Sequence, residues 1–153
     1  MNRPVVVDAS VAVKWVVEED YSDRAEELYA ASLQFRYPVL APSLMPNEVA
    51  NAIYQRLRQG KLSELDATDA IARFLGFTFT LMAPAELPRH AFAFARMHGL
   101  KSIYDSLYVL LAQQLGTDLW TDDRALLRSV AHAAPWVRWI GDYTPTRPNE
   151  DNR

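Results

Sequence analysis

The 153-residue sequence contains no cysteine, which excludes a disulfide framework, a thiolate metal site and a cysteine nucleophile. It is poor in histidine, with His90, His98 and His132 the three present, and none lies near the acidic positions described below. It lacks a basic excess: 16 Lys and Arg stand against 19 Asp and Glu, for a formal charge of −3. A protein that holds nucleic acid by phosphate neutralisation alone has the opposite balance, although carboxylates that carry a divalent cation lose their negative field. No apolar run reaches the ~18 residues of a spanning helix. The opening Val5, Val6, Val7 run is cut at once by Asp8 and is too short for a signal peptide. These absences predict a soluble, cytoplasmic protein with no membrane partner. Half the residues are hydrophobic, enough to build one core, so one domain is expected over residues 1–143. The Pro-containing polar stretch 144–153 is expected to be a disordered tail.

Short apolar runs alternate with amphipathic stretches. Strands are expected at Pro4–Asp8, Tyr37–Ala41, Phe77–Leu81, Asp118–Thr121 and Trp136–Ile140. A short helix is expected after Ser10. Further helices are expected from Ser22 to about Leu33, from Ser43 to a stop at Gly60, from Ser63 to Gly76, from Pro84 to Gly99, from Ser102 to Gly116, and after Asp122. Ser63 and Asp66 have the spacing of a capping box. The stretch after Ser106 is apolar nearly all round and predicts a buried central helix. Such alternation predicts a parallel sheet covered on both faces, with sites at the carboxyl ends of its strands.

Acids stand at those places. Asp8 closes the first strand, Glu48 lies early in the helix after the second, Asp105 lies in the first turn of the central helix, and Asp122 and Asp123 follow the fourth strand. Each has a plain alternative: Asp122 as a helix cap, Asp105 as a complement to a helix dipole, Glu48 as a solvated residue. Asp8 is hardest to explain that way, because a charge ending a valine strand is partly desolvated. Two carboxylates ~4 Å apart repel by about 4 kcal/mol at an effective dielectric near 20, so a cluster needs cations or protons. An all-oxygen set favours Mg²⁺ or Mn²⁺ over zinc, and such ions serve phosphodiester hydrolysis.

The segment Val7-Asp8-Ala9-Ser10-Val11-Ala12-Val13-Lys14-Trp15 resembles the opening of PIN-domain nucleases of the VapC toxin type. Ala41-Pro42-Ser43-Leu44 leading to Asn47-Glu48-Val49-Ala50-Asn51-Ala52 resembles their second acidic motif, Tyr104-Asp105-Ser106-Leu107-Tyr108 their third, and Leu119-Trp120-Thr121-Asp122-Asp123-Arg124 their fourth. The similarity runs from about residue 4 to 141. It implies a three-layer α/β/α fold with a five-stranded parallel sheet in the order 3-2-1-4-5 and about seven helices. It also implies Mg²⁺- or Mn²⁺-dependent RNA cleavage, a homodimer, and a small antitoxin partner that blocks the site. By position, Asp8, Glu48, Asp105 and Asp123 match the family's four acids. Asp8 and Asp105 are then the metal ligands, and Ser10, Thr121 and Asp122 support the site. The family's fourth acid stands two residues after the threonine, which selects Asp123 over Asp122. Ser10 and Thr121 remain open to plain capping roles.

Lys14, Arg56, Arg58, Lys61, Lys101 and Arg124 are candidate phosphate contacts, with Lys14 and Arg124 nearest the motif acids. Trp15, Tyr104 and Tyr108 are candidates for base stacking, though helical spacing favours core packing or a dimer interface. Two other acid-bearing α/β classes fit less well. A receiver domain requires an acid ending its third strand, and a haloacid-dehalogenase-type phosphatase requires an acid at position 10, which is serine. A PIN-like domain that has lost catalysis and serves as a protein- or RNA-binding module is the remaining alternative.

Overall fold

Three consecutive valines, Val5–Val7, form strand β1 at the centre of the sheet in the computed structural model, which describes residues 3–145. A central parallel strand is covered on both faces, and β-branched side chains suit that position; Val6 and Val7 are fully buried. The chain continues through α1 (Ala9–Ala12), a 3₁₀ turn (Val13–Trp15), α2 (Ser22–Phe35), β2 (Val39–Pro42), α3 (Met45–Arg58) and α4 (Glu64–Phe74). Then come β3 (Thr80–Met82), α5 (Leu87–His98), α6 (Ile103–Leu115), β4 (Leu119–Thr121), α7 (Arg124–Val130), β5 (Val137–Trp139) and a second 3₁₀ turn (Ile140–Asp142). All strand pairings are parallel, in the order β3-β2-β1-β4-β5. The order, and the seven α-helices among the described residues, are as the resemblance to the PIN-domain family implies.

The order reverses at β1. The chain moves outward through β2 and β3 on one side, then crosses back to β4 and β5 on the other. The crevice at such a reversal lies outside the carboxyl ends of the two central strands. Here those are β1 and β4, paired through Val6↔Leu119 and Val7↔Trp120. Helix α6 packs against both of these strands and β2, and its run Tyr108–Ala112 is buried, as its all-round apolar character requires. Ser102 caps it, and Gly116 ends it in the left-handed conformation that favours glycine.

Several boundaries shift for identifiable reasons. Strand β3 starts at Thr80 rather than Phe77. The Phe77 ring stacks on Trp15 at 5.3 Å, Phe79 stacks on Phe74 at 5.3 Å, and the Thr78 amide donates to the Tyr29 hydroxyl, so this stretch is committed to an aromatic cluster before the ladder begins. Strand β2 starts at Val39 because Tyr37 N–H still closes the end of α2 by donating to Ser32 O. Helix α3 starts at Met45, not Ser43, since Ser43 N–H donates to Met82 O and extends the β2–β3 pairing. Ser22 does not cap α2. Its hydroxyl donates to Val17 O and accepts from Glu19 N–H, tying down the preceding loop. Ser63 does cap α4, accepting from Asp66 N–H. The tail expected over 144–153 lies outside the described residues from position 146 onward. No helix among the described residues is long and apolar enough to cross a membrane.

Candidate active site

Asp8 leaves β1 and caps α1, so its carboxylate sits at the carboxyl edge of the sheet, beside the end of β4. Its Oδ1 accepts from Ser10 Oγ at 2.5 Å and from Val11 N–H at 3.2 Å, and its Oδ2 accepts from the Thr121 hydroxyl. The residue is 7 % exposed. Burial pushes the Asp8 carboxyl up to about 7, the three hydrogen bonds oppose that shift, and the nearby Asp105 adds to it. Ser10 and Thr121 therefore do more than cap. Ser10 Oγ also accepts from Asp122 N–H at 2.8 Å, and Thr121 Oγ1 accepts from Asp123 N–H at 3.0 Å. The two hydroxyls join the β1–α1 turn to the β4–α7 turn with Asp8 between them.

The other acids converge on the same edge. Asp105, in the first turn of α6, has its carboxyl pushed up to about 6 by burial and then by the charges of Asp123 and Glu48. Glu48, in the first turn of α3, is half-buried and not free: its Oε1 accepts from the Tyr108 hydroxyl at 2.6 Å. Tyr108 is 2 % exposed, and burial together with the Glu48 carboxylate pushes its phenol well above the ordinary range. Asp123 caps α7, its Oδ1 accepting from Leu126 N–H at 2.9 Å. Asp8, Glu48, Asp105 and Asp123 thus act electrostatically as one cluster, and no salt bridge among the described residues reaches any of them.

Asp122 is different, and it is not the helix cap. Its Oδ2 pairs with Lys14 Nζ at 2.9 Å and its Oδ1 accepts from Trp139 Nε1 at 3.0 Å. The Trp139 ring can lie there because position 141 is glycine: a Cβ on Gly141 would come within 2.4 Å of it. The Lys14 side chain is 3 % exposed and lies 3.4 Å from Glu19 as well as contacting Asp122. It is committed inside the protein and is no phosphate contact. Arg56 is likewise paired with Glu19. Arg124 is exposed, with its guanidinium 3.9 Å over the Trp139 ring. Trp15 and Tyr108 are core residues, Trp15 donating its indole N–H to Ala25 O, whereas Tyr104 is 54 % exposed.

Sequence reasoning missed the roles of Lys14, Glu19, Tyr108 and Trp139. Tyr108 was within reach: it lies three residues after Asp105, on the same helical face. The partners of Lys14 depend on how two loops meet, which no local spacing encodes.

Among the described residues, no group of three or more Asp, Glu or His side chains stands close enough together to hold an ion by itself. Mg²⁺ does not require such a cage, since it is commonly bound by one or two carboxylates with water and substrate phosphate completing its shell. An all-oxygen donor set, with two carboxyls raised by burial and then by neighbouring acids and with no salt bridge to it among the described residues, fits such an ion.

A family model of the PIN domain matches residues 5–133. Ribonuclease VapC3 of Pyrobaculum aerophilum is 35 % identical over 124 residues, covering 80 % of this chain and 91 % of that protein. The crystal structure of PAE2754 from Pyrobaculum aerophilum covers 92 % of this chain and 93 % of that one with a TM-score of 0.65. Its 23 % identity speaks to the fold alone.

Proposed function

We propose, on the premise that this chain belongs to the PIN-domain family, that its four-carboxylate cluster hydrolyses RNA phosphodiester bonds with Mg²⁺ or Mn²⁺. On this reading residues 1–143 are the nuclease unit. The chain is the toxin of a toxin–antitoxin pair, acts in the cytoplasm, works as a homodimer and is neutralised by a small antitoxin protein. A curated relative named as a ribonuclease of the VapC type supports the activity and the pairing. One observation carries the chemistry: at the sheet's switch point burial raises the carboxyls of Asp8 and Asp105, these two repel each other, and the charges of Asp123 and Glu48 press further on Asp105, with no salt bridge among the described residues to offset them. A module kept only for binding has no use for that repulsion.

Asp8 and Asp105 would hold the ion, with Glu48 and Asp123 flanking it. When bound, a divalent ion supplies Lewis acidity at a phosphoryl oxygen and makes a water acidic near neutral pH. The chain's own groups do the rest. Ser10 and Thr121 fix both oxygens of Asp8. Tyr108 holds Oε1 of Glu48, which leaves Oε2 to take a proton from the attacking water. The water oxygen bonds to phosphorus, the bond from phosphorus to the 3′ oxygen breaks, and that oxygen takes up a proton. The products carry a 5′-phosphate and a 3′-hydroxyl. RNA incubated with the purified chain in Mg²⁺ and in EDTA separates this reading from the inactive-module one: the module predicts no cleavage in either.

Two further outcomes follow from the geometry. Tyr108→Phe keeps the ring but frees Glu48, and should lower the cleavage rate by about 10- to 100-fold, the usual cost of losing an orienting partner. Its melting temperature should move little, since one hydrogen bond contributes about 1 kcal/mol. Unchanged kcat in Tyr108→Phe would remove Glu48 positioning from the account.

The second outcome concerns pH. Asp8 and Asp105 titrate near 7 and 6 in the folded chain but near 3.8 when unperturbed. Between those values the folded state holds protons that the unfolded state has released, so the metal-free protein loses stability as pH rises through that window. An added ion must displace those protons. Thermal melts in EDTA should therefore fall from about pH 5 to about pH 8, and stabilisation by Mn²⁺ should grow over the same range. A Mn²⁺ effect that shrinks with pH would contradict this.

A further inference from the structure

A cavity of about 650 Å³ opens beside the acid cluster and shares Ser10 and Glu48 with it. Its character is unlike that of the cluster. One wall is the exposed face of α3, where Asn47 and Asn51, four residues apart, lie one helical turn above the other. Tyr104 from α6 stands in the lining, half exposed, and its ring has no aromatic or hydrogen-bonding partner among the described residues. The remaining lining is largely small or aliphatic, with Ala9, Val13, Leu44 and Ala52. Arg56 also lines it, but that guanidinium is already spent on Glu19 and on Ala52 O.

These features select a class of ligand. With its one cation paired internally and Glu48 at its edge, the cavity is a poor receptor for phosphate. A neutral planar group suits it. An aromatic ring offers stacking that every base can use, and a side-chain amide presents a donor and an acceptor side by side, the pairing that adenine's N6 and N7 complement. The Asn47 side chain has no hydrogen-bond partner among the described residues, and the Asn51 side chain has only a 3.5 Å contact from Gln55, so both amides are available to a ligand.

We propose that this cavity is a nucleobase subsite, in which Tyr104 stacks on, and Asn47 and Asn51 read the edge of, a base next to the bond being cut, with adenine favoured. The inference rests on the RNA-cleavage reading for its biological meaning, but its binding chemistry is testable apart from cleavage. The full chain, kept in EDTA so that RNA is not consumed, is titrated with a short oligoadenylate and with the same oligomer made abasic. Side-chain amide signals of Asn47 and Asn51 and the ring signals of Tyr104 are followed by NMR. The oligoadenylate should shift them and bind about tenfold more tightly than the abasic oligomer. Tyr104→Ala and Asn47→Ala/Asn51→Ala should each erase that difference. In Mg²⁺, the ends cut from an RNA of random sequence should show a base preference beside the cut, and the double variant should flatten it. Equal binding of the two oligomers, unaltered base preference in the variants, or signals that respond only to a partner polypeptide would each overturn the subsite. Base-dependent binding here without any cleavage in Mg²⁺ would support the subsite and overturn the nuclease reading instead.

Discussion

Asp8→Asn is expected to lower metal-dependent RNA cleavage by about 10³-fold or more while leaving the fold intact, a loss typical of removing a central catalytic group. The side chain keeps its size and its place between Ser10, Thr121 and the Val11 amide, and hydroxyls can turn to accept where they formerly donated. What disappears is the negative charge that would hold the ion. The same change removes a carboxyl whose folded-state value is raised to about 7 by burial. Above that value the wild-type protein bears a desolvated charge that the unfolded chain carries at no such cost. In EDTA the variant should therefore melt higher than wild type above neutral pH and show a smaller gap near pH 4. A variant that is more stable without metal and inactive with it is hard to attribute to misfolding. Wild-type activity in Asp8→Asn would remove Asp8 from the chemistry.

Lys14→Met is expected to cost about 3–5 kcal/mol of stability, the usual consequence of breaking one side of a buried ion pair. For a chain of this length that corresponds to a fall of roughly 10 °C in Tm, at about 2–4 °C per kcal/mol. The lysine side chain is 3 % exposed and lies between Asp122 and Glu19. Methionine fills the space but leaves both carboxylates partly buried, with Arg56 compensating Glu19 and only the Trp139 indole N–H left on Asp122. The damage should reach the site, because Asp122 N–H is the group that holds Ser10 against Asp8. Adding Asp122→Asn removes one of the stranded charges, so the double variant should lose less than the sum of the two single losses. Additive losses would show that Lys14 and Asp122 do not act as a pair, and a Lys14→Met melt equal to wild type would show that the lysine is not structurally committed.

The sheet was legible because its signals are local. Three valines before an acid, glycines ending four helices, and an all-apolar central helix specify elements from their own composition. The misplaced boundaries are those where tertiary contacts claim backbone groups. Thr78 N–H goes to a tyrosine hydroxyl, Ser43 N–H to the neighbouring strand, and Ser22 Oγ back to its own loop. The same divide runs through the site. Asp8, Asp105 and Asp123 stand at strand ends and helix starts, which a pattern of elements predicts. Which of two adjacent acids joins the cluster is decided by Lys14 and Trp139, 108 and 17 residues away from Asp122 in the chain. Tyr108 reads as an ordinary buried aromatic until its hydroxyl is found on Glu48. Polar groups in the interior need partners, and a sequence shows the need without showing the partner.

The most direct test of the central claim is the chemistry of the cut ends. Purified chain is incubated with RNA in Mg²⁺ and, in parallel, in EDTA, and the fragment termini are identified. Hydrolysis by water at the carboxylate cluster predicts fragments bearing 5′-phosphate and 3′-hydroxyl ends in Mg²⁺ and intact RNA in EDTA. Fragments that form equally in EDTA, or that end in a 2′,3′-cyclic phosphate, would show that the 2′-hydroxyl rather than water is the nucleophile or that the acids are not the site, and would contradict it.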